Sequence, residues 1–369
     1  MKSVRIFLAG DVMTGRGVDQ ILPTHCDPRL HESHVRDATR YVALAEAAHG
    51  LIPRPVDLAY PWGDSLVELE RLDPDIRIVN LETAVTTSDD YWPGKGIHYR
   101  MHPANVGCLS AAGLDCCVLA NNHVLDWGYR GLAETLSTLD SAGLPHAGAG
   151  ADEAAAATPV AKELDGSCRV LLFALGSPTS GLPAAWAAEP GRAGVNYLAD
   201  LTEATLRQIA RRIEARRRPG DIVIVSIHWG GNWGYDIEDD QRRFARGLID
   251  QADVAVVHGH SSHHPRAAEV YRDRLILYGC GDLLSDYEGI RGYEPYRDDL
   301  VLMYFADLDS DTGCLSKLRL LPFQLRKLRL NYPEPEDVSW LRDRLSREYA
   351  RFGHCVRHEP GEDAMLSLA

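Results

Sequence analysis

The sequence predicts an α/β fold, on two observations. Short apolar runs rich in β-branched residues alternate along the chain with segments of helical periodicity, the pattern of strands joined by helical crossovers. Five of these runs end in residues able to bind a metal or move a proton: Asp11, Asn80 with Glu82, Asn122 with His123, His228, and His258 with His260. Ligands of open α/β sheets bind beyond the carboxyl ends of the strands, so residues scattered over roughly 250 positions are expected to meet at one sheet edge.

Val4–Ala9, bounded by Gly10-Asp11, reads as the first strand. Polar, Pro-interrupted sequence comes next, with a helical segment near Val35–His49. Ile76–Val79 is a second strand, Ala104–Ala112 has helical pattern and Asp115–Leu119 is a third strand. Leu132–Ala142 is a helix closed by Gly143, the residue type favoured just past a helix end. Arg169–Leu175 is a strand, and Leu201–Arg217 a long amphipathic helix stopped by Pro219-Gly220. Asp221–Ile227, Asp253–Val257 and Arg274–Tyr278 are strands, with a helix at Gln241–Ile249. From Leu300 the pattern turns to β, before a final helix at Val338–Tyr349. No repeat, low-complexity tract or linker divides the chain. One domain is expected over 1–325, with a helical extension over 326–369 packed on it.

Composition excludes several classes. With 45% hydrophobic and 25% charged residues, the balance is that of a soluble globular protein. The net charge of −14 argues against binding along a nucleic-acid backbone, which calls for a basic surface. The apolar stretch Ile6–Ala9 is too short for the core of a signal peptide, and no run approaches a membrane span. The eight cysteines form no Cys-x-x-Cys pair and read as buried thiols of a reducing compartment. A cytoplasmic protein is expected, with no nucleic-acid partner and no membrane span.

The strand-end residues combine carboxylate, imidazole and amide oxygen, a ligand mixture suited to Zn, Mn or Fe. No thiolate cluster accompanies them, which sets aside a structural zinc finger. In Asn121-Asn122-His123, Asp126 lies three residues on and is positioned to orient the imidazole. His258 and His260, two apart in extended chain, point to one side, with Gly259 permitting close approach. His263 lies just beyond and reads as a substrate-side residue. The Trp92–Arg100 segment places Lys95 and Arg100 beside Trp92 and Tyr99, cations suited to a carboxylate or phosphate, and Trp229 is a candidate pocket wall. Plainer readings exist for each: Asp11 as a turn or cap, Asn80 as a helix cap, His228 as a core histidine, Trp92–Arg100 as a solvated loop. They leave unexplained why five strand ends in one chain share this chemistry.

In order, these residues resemble the CapA family, associated with poly-γ-glutamate capsule synthesis and similar to the calcineurin-like metallophosphoesterases. The matching pieces are Gly10-Asp11-Val12-Met13, Asn80-Leu81-Glu82-Thr83, Pro93-Gly94-Lys95 with Tyr99-Arg100, and Ala120-Asn121-Asn122-His123 with Asp126 and Gly128. Further on come His228-Trp229-Gly230, His258-Gly259-His260 with His263, and Tyr278-Gly279-Cys280-Gly281-Asp282. The resemblance implies a layered α/β/β/α sandwich binding one or two divalent transition metal ions (Mn, Fe or Zn). Asp11, Glu82 and His260 would serve one metal; Glu82, bridging, with Asn122, His228 and His258 would serve a second. His123 would be the proton donor, with Asp126 behind it. Lys95, Arg100, Trp229 and His263 would meet the substrate.

Two departures matter. Met13 stands where a phosphoesterase has the His of Asp-x-His, so one ligand of the first metal is expected to be missing, and Glu82 replaces an Asp. The membrane anchor usual in capsule-synthesis members is not found here, which weighs against a direct role in cell-surface polymer assembly. The expected activity is metal-dependent hydrolysis of an amide, ester or phosphate bond in a small acidic substrate, γ-glutamyl compounds included. The alternatives are a non-hydrolytic role on a polymer end, or a metal-stabilised binding protein.

Overall fold

Apolar side chains alternating with period two build the centre of the molecule. The computed structural model describes residues 3–164, 168–362 and 364–368. Its principal strands, in chain order, are β1 (Ser3–Val12), β2 (Ile76–Leu81), β3 (Cys116–Val118), β4 (Arg169–Gly176), β5 (Asp221–His228), β6 (Val256–His260), β7 (Asp282–Leu284), β8 (Leu300–Asp309) and β9 (Leu315–Leu325). The main helices are α1 (Thr39–His49), α2 (Gly128–Ser141), α3 (Glu203–Glu214), α4 (Asp239–Ala252) and α5 (Pro335–Tyr349). β1, β2 and β3 run parallel in one sheet, to which β8 and β9 add antiparallel strands. β4, β5 and β6 run parallel in a second.

The second sheet shows how the layers form. Leu171, Phe173, Leu175, Val223, Val225 and Ile227 pack with Ile209 and Ile213 of α3 and Phe244 and Leu248 of α4. Their alternates Val170, Leu172, Ala174, Ile222, Ile224 and Val256 belong to the core shared with Ile6, Leu8, Ile78 and Val118 of the first sheet. Val42 of α1, Leu132 and Leu139 of α2, and Leu341 and Leu345 of α5 join that core. The result is an α/β/β/α stack, as expected. The same parity orients the strand ends. Counting on from Ile224 and Val256, the side chains of Ser226, His228, His258 and His260 all face the seam between the sheets.

Element boundaries differ from the sequence reading where turn chemistry decides. β1 continues through Gly10 and Asp11 to Val12, and β6 starts only at Val256 because Asp253 adopts a left-handed conformation (φ 50°) that closes α4. The extension over 326–369 is not simply helical. After α5 the chain forms Val356–His358 and Leu366–Leu368, and the latter pairs with β9 inside the first sheet. Strands of three residues are too short for alternation to show in the sequence. Six of the eight cysteines are buried. Among the described residues no helix is long and apolar enough to cross a membrane.

Gly10 marks the point on which the site depends. The register of β1 against β2 shifts between Ala9 and Asp11, a bulge that sets Asp11 opposite Asn80. A Cβ at Gly10 would lie 1.9 Å from the carbonyl oxygen of Gly281, which accepts the Asp11 N–H at 3.0 Å. Gly10→Ala is therefore expected to destabilise the fold by about 1–3 kcal/mol, the usual cost of overpacking. Urea denaturation of the two proteins checks this, and an unchanged midpoint would show that the strand gives way without cost.

Candidate metal centre

Amide side chains hold the first carboxylate. Asn80 Nδ2 donates to Asp11 Oδ1 at 2.7 Å, and the Ser261 N–H donates to Asp11 Oδ2 at 3.2 Å. Asn121 Nδ2 donates in turn to Asn80 Oδ1 at 3.0 Å and to the Leu81 carbonyl at 2.8 Å. Asn121 Oδ1 accepts the N–H groups of His123 and Val124, both at 3.1 Å, and so shapes the turn that presents Asn122 and His123. Polar residues after an apolar strand thus form a buried scaffold that orients their neighbours.

The imidazoles form a relay whose tautomers can be assigned from its ends. The Ala9 carbonyl can only accept, so His258 Nε2, 3.0 Å away, carries a proton. His258 Nδ1 then accepts from Ser226 Oγ at 3.0 Å, and Ser226 Oγ accepts from His260 Nε2 at 2.9 Å. This leaves His260 Nδ1 with a bare lone pair, 2.8 Å from His228 Nδ1 and 3.7 Å from Asp11 Oδ1. On its other side His228 Nε2 lies 3.1 Å from Asn122 Oδ1, and that amide is oriented by its Nδ2 donation to the Ser180 carbonyl. A neutral His228 has one N–H for these two acceptors, so one contact sets lone pair against lone pair. A cation among them resolves the conflict.

His123 stands at the edge of this cluster. Its Nδ1 lies 2.6 Å from Asp126 Oδ2 and 2.9 Å from the Lys95 ammonium, which turns Nε2 toward Glu82 Oε1 at 3.6 Å. Asp126 also accepts the Tyr99 N–H at 2.7 Å and the ammonium of Lys95.

Charge points the same way. Burial, then the charge of Asp282, raises the Asp11 carboxyl to about 7. Burial and Asp11 raise Glu82 well above the usual carboxylate range. Burial holds His228 and His260 well below the usual histidine range and His258 down to about 4. Glu82 Oε2 and Asp282 Oδ2 are buried with no hydrogen-bond partner. Lys95 answers Asp126 and Arg16 answers Asp286 and Glu32, whereas among the described residues Asp11 and Glu82 pair with no Lys or Arg and have only imidazoles held below the usual histidine range within 4 Å. Asp11, His228 and His260 present ligand atoms within 4.8 Å of one another, as do Asp11, His263 and Asp282. These buried, electron-rich groups fit divalent transition metal ions.

The expected residues divide into two groups. Asp11, Glu82, Asn122, His123, His228 and His260 converge. His258 is committed at both ring nitrogens, so it differs from the expectation and backs His260 instead of facing the cluster. Trp229 is buried behind the strands, its indole donating to the Tyr278 carbonyl at 3.1 Å. Arg100 is bound by the Ser88 carbonyl and Asp89, each at 2.7 Å, and lies over the Trp127 ring at 3.9 Å. Lys95 does reach the site, but as the partner of Asp126. His263 faces a cavity of about 310 Å³ beside the cluster, lined also by Arg16, Glu32, Tyr41, Trp233 and Tyr287. Asp282 was missing from the expected site residues, although it closes Tyr278-Gly279-Cys280-Gly281-Asp282, one of the pieces that carry the resemblance.

Fold and site together define an α/β sandwich with a buried carboxylate–imidazole centre at the seam of its sheets. The chain belongs to the bacterial capsule synthesis protein family PGA_cap, whose model matches residues 5–287. It is 46% identical over 358 residues (97% of this chain, 94% of the relative) to a Mycobacterium tuberculosis protein named "Probable polyglutamine synthesis accessory protein". It is 24% identical to the capsule biosynthesis protein CapA of Bacillus anthracis, over 70% of this chain and 58% of that one. It is 28% identical to the PGA biosynthesis protein CapA of Bacillus subtilis, over 61% of this chain and 56% of that one. A solved structure described as a novel phosphatase of Mycoplasma pneumoniae matches with a TM-score of 0.48 and 11% identity, covering 90% of this chain and 96% of that chain.

A carboxyl held up to about 7, as Asp11 is, must lose its proton before it can take a cation. Metal binding is therefore expected to release protons, with affinity for Mn²⁺ falling by up to about tenfold per pH unit per displaced proton as pH drops below about 7. Calorimetric titration in buffers of different ionisation enthalpy, between about pH 6 and pH 8, measures both quantities; a flat affinity with no proton release would contradict it.

Proposed function

We propose that this chain is a metal-dependent hydrolase acting on an amide, ester or phosphate bond of a small acidic substrate. The observation that carries the reading is the cluster of Asp11, His228 and His260, with Glu82 3.6 Å and Asn122 3.1 Å from His228 and a buried carboxylate oxygen on Glu82 without a partner among the described residues. Divalent metal bound there would activate water and stabilise negative charge on the attacked group. Asp11 and Glu82 would hold the ions, and the relay from the Ala9 carbonyl through His258 and Ser226 would keep His260 in the metal-binding tautomer.

The proton work falls to His123. With Nδ1–H donated to Asp126, its Nε2 is the atom free to take a proton and return it to the leaving atom. Burial, then the charges of Lys95 and Arg16, keeps the ring well below the usual histidine range, so it enters the reaction neutral. Lys95 touches both partners, Asp126 and, at 2.9 Å, the ring's Nδ1, and so positions the pair.

A second reading is favoured by the names of the relatives: a non-hydrolytic, accessory role in making a glutamyl polymer, in which the same centre binds a polymer end. Metal analysis of the purified chain combined with assays on nitrophenyl phosphate and γ-glutamyl amides and esters separates the two. Hydrolysis with bound metal supports the first reading, and bound metal with no turnover on any of these supports the second. Less than ~0.2 equivalents of transition metal per chain would remove both. In a hydrolase, His123→Ala is expected to lower kcat by roughly 10²- to 10⁴-fold with metal content unchanged. Turnover equal to wild type would take His123 out of the mechanism.

A further inference from the structure

Met13 withholds a ligand from the first metal position, and the fold offers a replacement from elsewhere in the chain. β7 pairs parallel with β1, and the register sets Asp282 directly against Asp11. Both side chains are buried, at 1% and 0% exposure, so two carboxylates face each other with no water to screen them. Asp282 Oδ1 lies 2.9 Å from His263 Nδ1, while its Oδ2 has no hydrogen-bond partner among the described residues. Asp11, His263 and Asp282 present one ligand atom each within 4.8 Å, and Asp11 also belongs to the triad with His228 and His260.

We infer that Asp11, His263 and Asp282 form a second position for a divalent transition metal ion, with Asp282 supplying the ligand that Met13 does not. The inference rests on the metal-centre reading above and adds to it: two ions, joined through Asp11, and not one ion at an incomplete pair. It also assigns the residue that no expected ligand set contained. Carboxylate and imidazole are the donor types that first-row divalent ions accept. The ring of His263 can take this role because its other nitrogen, Nε2, sits 3.0 Å from the side-chain amide of the exposed Asn232. Turned to present its oxygen, that amide accepts the ring proton at Nε2 and leaves Nδ1 free for the ion. Two metals sharing a carboxylate would clamp an attacking and a leaving oxygen together.

The test is metal stoichiometry on the whole chain with Mn²⁺ as the probe, by elemental analysis and calorimetry, together with electron paramagnetic resonance. Wild type is expected to bind about two equivalents and give an exchange-coupled spectrum. Asp282→Asn, which preserves shape and removes the charge, is expected to bind about one, with the spectrum of an isolated ion and the weaker affinity reduced by roughly 100-fold or more. His263→Gln should do the same, and serves if the first variant does not fold. A wild-type protein binding one ion overturns this second position and leaves the metal-centre reading standing. Two ions retained in both variants overturn the ligand assignment. A chain that binds none overturns the metal-centre reading itself.

Discussion

Asp11 is a carboxylate with no access to water, at the place where two sheets present the carboxyl ends of their parallel strands to each other. That position is costly, since a buried ion loses several kcal/mol of hydration unless its surroundings replace it. The replacement is only partial. The Asn80 amide and the Ser261 N–H orient the two oxygens, but both are neutral groups. Glu82 and Asp282 deepen the deficit from either side. The bulge at Gly10, the Asn80–Asn121 amide chain and the pairing of β7 with β1 all serve to keep an acidic group in a place where its charge goes largely uncompensated.

The histidines answer the same constraint in a different way. His258 does not meet the cluster, yet its commitment to the Ala9 carbonyl sets which nitrogen of His260 is bare. A backbone carbonyl of one sheet thereby determines the chemistry of a side chain on the other. Ser226, a lone hydroxyl in a strand of apolar residues, is the link. Through it, the packing of the two sheets and the tautomeric state of the centre become one property.

The residues legible from sequence are those whose position is dictated by period two. Asp11, His228 and His260 lie at the ends of strands that apolar runs announce, and parity places the last two on the seam; Asn122 lies in the turn that follows β3. His258 does share a side with His260, as its spacing predicts, but parity cannot say how deep along the strand a ring sits or what it touches across the seam. Lys95 and Arg100 read together as substrate cations because they share a loop with aromatics. Their partners, Asp126 for one and Asp89 with the Ser88 carbonyl for the other, depend on how that loop folds back, which no periodicity records. Asp282 escapes for a related reason: its strand has three residues, and its meaning comes only from lying against Asp11. The C-terminal strands are hidden by the same lack of length.

These ion pairs bear on what the centre selects. Lys95 is held by Asp126, Arg16 by Asp286 and Glu32, and Arg100 by Asp89, so none of these three cations is left to receive an anionic substrate. Each also sits against an aromatic ring, Lys95 by Trp186, Arg16 by Tyr41 and Arg100 by Trp127, which ties the pairs into the walls. For the proposed function, attraction for a carboxylate or phosphate would then come from the centre and not from these three side chains. A small acidic molecule or a chain end could place its one reacting group there and its remainder among Tyr41, Trp233 and Tyr287. Under the function proposed above, the arrangement would suit an end or a small molecule better than a polymer's length, whether the centre hydrolyses or only binds.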